Sequence, residues 1–138
     1  MNAVRVTMLG IGLMGSPMAV RLAQAGFQVA AWNRNPAKSA ALRPHGIDAR
    51  ATLQAAVADA DVVISMLSAG PAVGEVIEAA LPALARGALW IDMSSTRQSE
   101  APGFDATLSA AGVRFMDAPV SGGVAGAEAG LLAIMAGG

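Results

Sequence analysis

Three glycines at the spacing Gly10-x-Gly12-x-x-Gly15 are the first residues of this chain whose types and positions suit chemistry. They follow a short apolar run (Val4, Val6, Met8, Leu9) and precede a helix-compatible stretch, which is the strand, tight turn and helix order of a dinucleotide-phosphate site. In that order Gly10 allows the sharp turn, Gly12 lets the backbone approach a pyrophosphate, and Gly15 lets the helix lie close on the first strand. The first N–H groups of the helix have no partners within it and lie at the positive end of its dipole, so they seat an anion. In a chain with 16 glycines the spacing alone is weak, and the flanking strand and helix carry the reading.

The next polar cluster is Trp32-Asn33-Arg34-Asn35, which ends the run Gln28–Trp32 about 20 residues beyond the glycine turn. In an NAD site an Asp or Glu at this point accepts hydrogen bonds from the adenosine ribose. An acid would repel a 2′-phosphate, whereas a guanidinium pairs with one through two charged hydrogen bonds. Arg34 therefore favours NADP over NAD, with Asn33 as a neutral donor and Lys38 as a further positive charge. The competing account of Arg34 is a solvated turn residue, and its distance from the glycine turn decides for the phosphate.

Two later clusters also end apolar runs. Asp92-Met-Ser-Ser-Thr96 follows LWID and suits the capping of a helix around Gln98 to Ala111, while Thr96 is also placed to touch a cofactor. Ala118 to Gly126 follows VRFMD, and its backbone N–H groups with the Ser121 hydroxyl suit a cradle for a substrate carboxylate. A flexible connector is the alternative for that loop.

These clusters meet only if the strands that carry them end side by side. Met18, Leu22 and Ala25 repeat at helical spacing, Pro17 is tolerated in the first turn, and Gly26 ends the helix as a left-handed cap. Gln28–Trp32 is then a second strand, parallel to the first and beside it. Pro36–Arg43 reads as a short helix, Gly46–Ala49 as a weak third strand, and Thr52 as the cap of a helix over Leu53–Ala58. The continuous apolar run Val62–Leu67 is expected of a strand buried on both faces, lying across the sheet from the third. The order reversal at that point opens the crevice in which such sheets bind ligands. A helix with Val73, Val76, Ile77 and Ala80 on one face, a fifth strand Leu89–Asp92, a sixth Val113–Asp117 and a last strand Leu131–Met135 complete the alternation. The expected fold is a doubly wound α/β sheet, mostly parallel, in a single domain over residues 1–138.

Composition narrows the partner. The chain is 54% hydrophobic and 14% charged with net charge −1, which argues against a nucleic-acid patch or a polybasic membrane anchor and leaves a small molecule or another protein. It has no cysteine, excluding a disulfide framework and a thiolate nucleophile, and one histidine, His45, in a turn where no role is assigned to it. No histidine-based metal cluster is possible, no segment reads as membrane-spanning, and Gly10, Gly12, Gly15 and Pro17 break up the only stretch that imitates a signal peptide, so a cytoplasmic location is expected.

Four stretches resemble the N-terminal domain of the β-hydroxyacid dehydrogenases, which include 3-hydroxyisobutyrate dehydrogenase, tartronate semialdehyde reductase and glyoxylate/succinic semialdehyde reductases: GIGLMGSPMAVRL, SMLSAGPAV, IDMSST and FMDAPVSGGVAGAEAG. The resemblance implies a Rossmann fold in which Gly10, Ile11, Gly12, Leu13 and Met14 hold the pyrophosphate, Met66 and Leu67 border the nicotinamide portion, Thr96 contacts the cofactor, and Ser121, Gly122 and Gly123 bind the substrate acid. WNRNPAK is similar to the NADP-preferring members. The family also has a C-terminal helical domain whose lysine serves as general acid/base. No such motif occurs in these residues and no lysine follows Lys38, so no catalytic residue is assigned within the chain. Without a proton donor over the carbonyl, hydride transfer loses a factor of about 10² to 10⁴, and cofactor binding with little turnover is expected.

The function implied is the cofactor domain of an NADP-dependent oxidoreductase that moves hydride between the nicotinamide and a small 3-hydroxy acid or semialdehyde acid. A non-catalytic NADP(H)-binding module and an imine reductase-like fragment are the alternatives, the second opposed by the APVSGG loop. The uncovered last strand and the sheet face beside it imply self-association, as a dimer or larger homo-oligomer, or a domain partner.

Overall fold

The computed structural model of the chain describes residues 4–11, 15–67, 70–94, 101–117, 120–121 and 133–134. Its centre is a six-stranded sheet of β1 (Arg5–Leu9), β2 (Gln28–Trp32), β3 (Asp48–Ala49), β4 (Val62–Ser65), β5 (Leu89–Asp92) and β6 (Arg114–Asp117). The spatial order is β3-β2-β1-β4-β5-β6 and every pairing is parallel, so consecutive strands are joined by crossovers. The crossover helices are α1 (Gly15–Gln24), α2 (Pro36–Ala40), α3 (Leu53–Val57), α4 (Gly70–Ala80) and α5 (Ala101–Ala110).

Successive strand residues point to opposite faces, and both faces are covered. On one, Leu9, Val63 and Trp90 are buried with Val57 of α3, Val73, Val76 and Ile77 of α4 and Leu108 of α5. On the other, Val6, Met8, Val29 and Ile64 are buried with Ala19 of α1 and Leu42. Two cores on the two sides of one parallel sheet define the doubly wound α/β architecture that the alternation of apolar runs predicts. The same requirement explains why VVIS is apolar without a break: Val63 and Ile64 each face a core.

Local signals act as expected at several boundaries. The Thr52 side chain accepts the Ala55 N–H at 3.1 Å and opens α3, the Asn35 carboxamide accepts the Ala37 N–H at 3.1 Å before Pro36 opens α2, and Gly26 at φ +98° ends α1. β3 begins at Asp48 and not at Gly46, which caps the preceding turn, and three further segments differ from the sequence reading. The helix expected over Pro36–Arg43 stops at Ala40 and a 3₁₀ turn follows at Arg43–His45, because Pro44 has no N–H to continue the ladder and its ring crowds the preceding turn. β4 ends at Ser65 instead of Leu67, since the Leu67 N–H is donated to the Ser94 hydroxyl and not to a neighbouring strand. The last strand is β8 (Ala133–Ile134), which pairs antiparallel with β7 (Val120–Ser121) in a separate two-stranded sheet and does not extend the parallel one. Val120 and Ser121, read from sequence as loop, are therefore strand residues.

Candidate functional site

Parallel register aligns the carboxyl ends of the strands in one row. Trp32 is opposite Leu9, Leu9 is opposite Ser65, and Ser65 is opposite Asp92. The chain leaves each strand by donating its next N–H sideways: Gly10 to the Trp32 carbonyl at 3.0 Å, Met66 to the Leu9 carbonyl at 2.9 Å and Met93 to the Ser65 carbonyl at 2.9 Å. The exits from β1, β2, β4 and β5 are thus tied to one another. The strand order reverses between β1 and β4, which is where open α/β sheets leave a crevice.

The glycine turn lies at that reversal. Gly10 has φ +96°, a conformation that side chains rarely adopt, and a Cβ on it would collide with the Met66 carbonyl and come within 2.9 Å of Leu67 Cδ2. A Cβ on Gly15 would collide with the Gly10 carbonyl, so the start of α1 sits directly on the turn. Gly10 and Gly15 are both fixed by close backbone approach, the first from the β4 exit and the second from the helix. Ile11 is buried, and its N–H donates to Asn33 Oδ1 at 2.8 Å. Gly12, Leu13 and Met14 lie outside the described residues.

At the end of β2 the structure brings Asn33 against this turn, and Arg34 follows it. Asn33 accepts from Ile11 through Oδ1 and donates from Nδ2 to the Asn35 carbonyl at 3.0 Å, so it braces the glycine turn in addition to any role as a donor. The Arg34 guanidinium is 75% exposed and stands 3.7 Å from the carboxylate of Glu75, itself 73% exposed. Glu75 belongs to α4, which follows β4, so the pair links the segments after β2 and β4. An exposed pair of this kind contributes about 0–1 kcal/mol. Sequence spacing gives no signal for Glu75, because its approach to Arg34 depends on the sheet order.

A buried polar network ties the exits of β4 and β5 together. Trp90 Nε1 donates to Ser65 Oγ at 3.0 Å, and Ser65 Oγ donates to Asp92 Oδ1 at 2.9 Å. Asp92 Oδ1 also accepts the Ser94 N–H at 3.1 Å. The Ser94 hydroxyl accepts the Leu67 N–H at 2.7 Å and donates to the Ser65 carbonyl at 3.2 Å. Ser65, Trp90, Asp92 and Ser94 are fully buried, and no described buried side-chain nitrogen or oxygen lacks a partner. Sequence reasoning assigned Asp92 and the following hydroxyls, Ser94 among them, to helix capping and did not single out Ser65. The available signal was one polar residue at the same register position in two adjacent apolar strands, Ser65 in VVIS and Asp92 in LWID.

Met66 and Leu67, both half-buried, lie between this network and Gly10. Thr96, Gly122 and Gly123 lie outside the described residues, and for Ser121 the backbone is placed in β7. His45 is exposed in its 3₁₀ turn, apart from these groups.

A parallel sheet in this order, with a glycine turn between β1 and α1 at the reversal, is the Rossmann class of dinucleotide-binding domain. The chain belongs to the family described as the NAD binding domain of 6-phosphogluconate dehydrogenase, whose model matches residues 5–138. Among solved structures it is similar to the 3-hydroxyisobutyrate dehydrogenase of Mycobacterium tuberculosis with L-serine, at TM-score 0.96 and 37% identity, over 99% of this chain and 47% of that one. It is similar to Psf3 in complex with NADP+ and 2-OPP, at TM-score 0.89 and 29% identity, over 95% of this chain and 48% of the other. It is also 33% identical to the 2-hydroxy-3-oxopropionate reductase of Escherichia coli K12 over 138 residues, covering 98% of this chain and 47% of that protein. The chain spans about half the length of the curated relatives it matches. Among the described residues no helix is long and apolar enough to cross a membrane.

Proposed function

We propose that residues 1–138 are one NADP-binding unit of an oxidoreductase that transfers hydride between the nicotinamide and a small 3-hydroxy acid or semialdehyde acid. The observation that carries the reading is the close approach at the strand-order reversal: Gly10 is pressed against Met66 and Leu67 there, and Arg34 follows the end of the neighbouring β2. The residues present suit the cofactor. Gly15 opens α1 against the Gly10 turn, where the helix start suits an anion, and the end of β2 offers a guanidinium where an acid would serve NAD.

In this reading Gly10, Ile11, Gly12, Leu13, Met14 and Gly15 hold the pyrophosphate. Arg34 pairs with the 2′-phosphate after release from Glu75, Asn33 keeps the turn in register with β2, and Met66, Leu67 and Thr96 border the nicotinamide. Ser121, Gly122 and Gly123 bind the substrate carboxylate. The bound nicotinamide supplies or accepts the hydride; the chain's own residues bind and orient it and exclude water beside Leu67. NADP in preference to NAD is supported by Arg34 and by the NADP+ complex of Psf3. The substrate class is supported by the mycobacterial relative solved with L-serine, itself a 3-hydroxy acid. We further propose a cytoplasmic protein that works with a second copy or a partner domain.

Titration of NADPH and NADH against the chain tests the cofactor reading. Tighter binding of NADPH by about tenfold or more supports it, and binding of neither nucleotide overturns it.

A further inference from the structure

We infer that Ser94 is a positioning residue whose buried hydroxyl fixes Met66–Leu67 against the glycine turn, and that it governs how tightly the nicotinamide half of the dinucleotide is held, not the adenine half. The inference rests on the proposed placement of the nicotinamide beside Met66 and Leu67.

Leu67 is the second residue past the end of β4, where the sheet no longer supplies a partner for its N–H. That partner is the Ser94 hydroxyl at 2.7 Å, the shortest hydrogen bond in the network. Ser94 is held from two directions, its own N–H on Asp92 Oδ1 at 3.1 Å and its hydroxyl on the Ser65 carbonyl at 3.2 Å, and it is fully buried. Its hydroxyl therefore has one orientation, with the proton toward Ser65 and a lone pair toward Leu67.

On its far side Leu67 has no slack. Leu67 Cδ2 and the Met66 carbonyl occupy the space that a single added carbon on Gly10 would need. Loss of the Ser94 bond frees the segment either to press on the glycine turn or to withdraw from the space assigned to the nicotinamide. The adenine-side residues are anchored separately, Asn33 to Ile11 and Asn35, and Arg34 to Glu75, and none of those contacts involves Ser94. Disturbance at Ser94 is thus expected to divide the two halves of the ligand.

The test compares NADPH with 2′,5′-ADP, which carries the adenine side and its 2′-phosphate but no nicotinamide, on the parent chain and on Ser94→Ala. One lost neutral hydrogen bond predicts that Ser94→Ala weakens NADPH by about fivefold to tenfold and leaves 2′,5′-ADP within about twofold. Ser65→Ala removes the side-chain links to Trp90 and Asp92 but keeps the carbonyl that Ser94 uses, and it is expected to lower stability without dividing the two affinities. Equal losses for both ligands in Ser94→Ala, no loss for either, or the same division in Ser65→Ala overturns the inference while the cofactor reading stands. A parent chain that binds neither ligand overturns both. If Ser94→Ala does not fold, exchange of the Leu67 amide in the parent decides: slowing by about a hundredfold or more over an unstructured amide upholds the bond, and free exchange overturns it.

Discussion

The two ends of the parallel sheet hold polar groups in opposite ways. Toward the amino end, where β1 and β4 begin, Arg5 stands 3.4 Å from Asp59; Arg50, which follows the end of β3, extends its guanidinium back toward that end, 2.6 Å from Asp48 and 3.5 Å from Asp59, all with side chains 29–59% exposed. These groups border a cleft of about 350 Å³ that also includes Phe27 and Gln28. At the carboxyl end Ser65, Asp92 and Ser94 are fully buried and joined to backbone and indole N–H groups. Charges left in water are cheap and individually worth little, whereas buried polar atoms are costly when unpaired and hold their neighbours firmly when paired. The cleft at the amino end is lined by charges that already neutralise one another. The strand exits at the carboxyl end are the ones fixed by directional bonds.

The sharpest break in this contrast is predicted at Gly10. Alanine there must leave φ +96° and also collides with the Met66 carbonyl, so the turn, the β4 exit or both must move. The expected cost is about 3 kcal/mol or more of stability, with cofactor affinity reduced beyond measurement. Urea denaturation and calorimetric titration check the two parts. A variant of parental stability that still bound NADPH would mean that the turn adapts and that the crevice is not held as described.

A somewhat smaller effect is expected at Asp92. Asp92→Ala removes the acceptor shared by Ser65 Oγ and the Ser94 N–H in a fully buried site, at an expected cost of about 2–4 kcal/mol. The midpoint of chemical denaturation measures it. A loss below about 1 kcal/mol would place this network with the exposed charges of the amino end and erase the difference between the two ends.

Arg34 sharpens the comparison because it is an exposed charge on the carboxyl end. Its pair with Glu75 resembles the amino-end pairs in exposure, so stability should barely respond to Arg34→Gln while NADPH affinity falls about tenfold and NADH affinity stays level. Glu75→Gln should raise NADPH affinity by about twofold, since the guanidinium then has no carboxylate to leave. Parallel calorimetric titrations of both nucleotides decide, and equal changes for NADPH and NADH would remove Arg34 from the phosphate site.

Much of this was legible in the sequence, for identifiable physical reasons. The doubly wound sheet could be read because apolar runs such as VVIS must be buried on both faces, and because caps at Thr52 and Gly26 and the spacing of Gly10 and Gly15 act within a few residues. Contacts set by register across strands could not be read this way. Ser65 meets Asp92 and Arg34 meets Glu75 only once β4 is placed between β1 and β5. Asn33 reads from its position as a ligand donor, and the structure adds that its side-chain amide oxygen accepts the Ile11 N–H, a contact set by the pairing of β1 with β2. Pro44 marked a limit for the helix read over Pro36–Arg43, but the pattern did not show that α2 stops short of it, at Ala40.

The smallest effect is predicted at Arg50, and it tests the other half of the comparison. The hydrogen bond to Asp48 is the leading cause that holds the Arg50 guanidinium above its ordinary pKa, opposed by partial burial and helped by the charges of Asp48 and Asp59. A raised pKa on a cation stabilises the fold at every pH below the unfolded value, and for arginine that includes all working conditions. Between about pH 6 and 9 its contribution should therefore be flat. Arg50→Met keeps most of the apolar stem and removes the charge along with the bond to the Ala55 carbonyl at 2.8 Å. The expected loss is about 1 kcal/mol or less, and the part due to the ion pairs should shrink as salt rises from about 0.05 to 1 M. Salt should leave the loss at Asp92→Ala almost unchanged, because the Ser65 hydroxyl and the Ser94 N–H that it accepts are neutral donors away from water. If the Arg50 effect proved large and insensitive to salt, the amino end would be held by directional bonds too, and the division of labour between the two ends of the sheet would not hold.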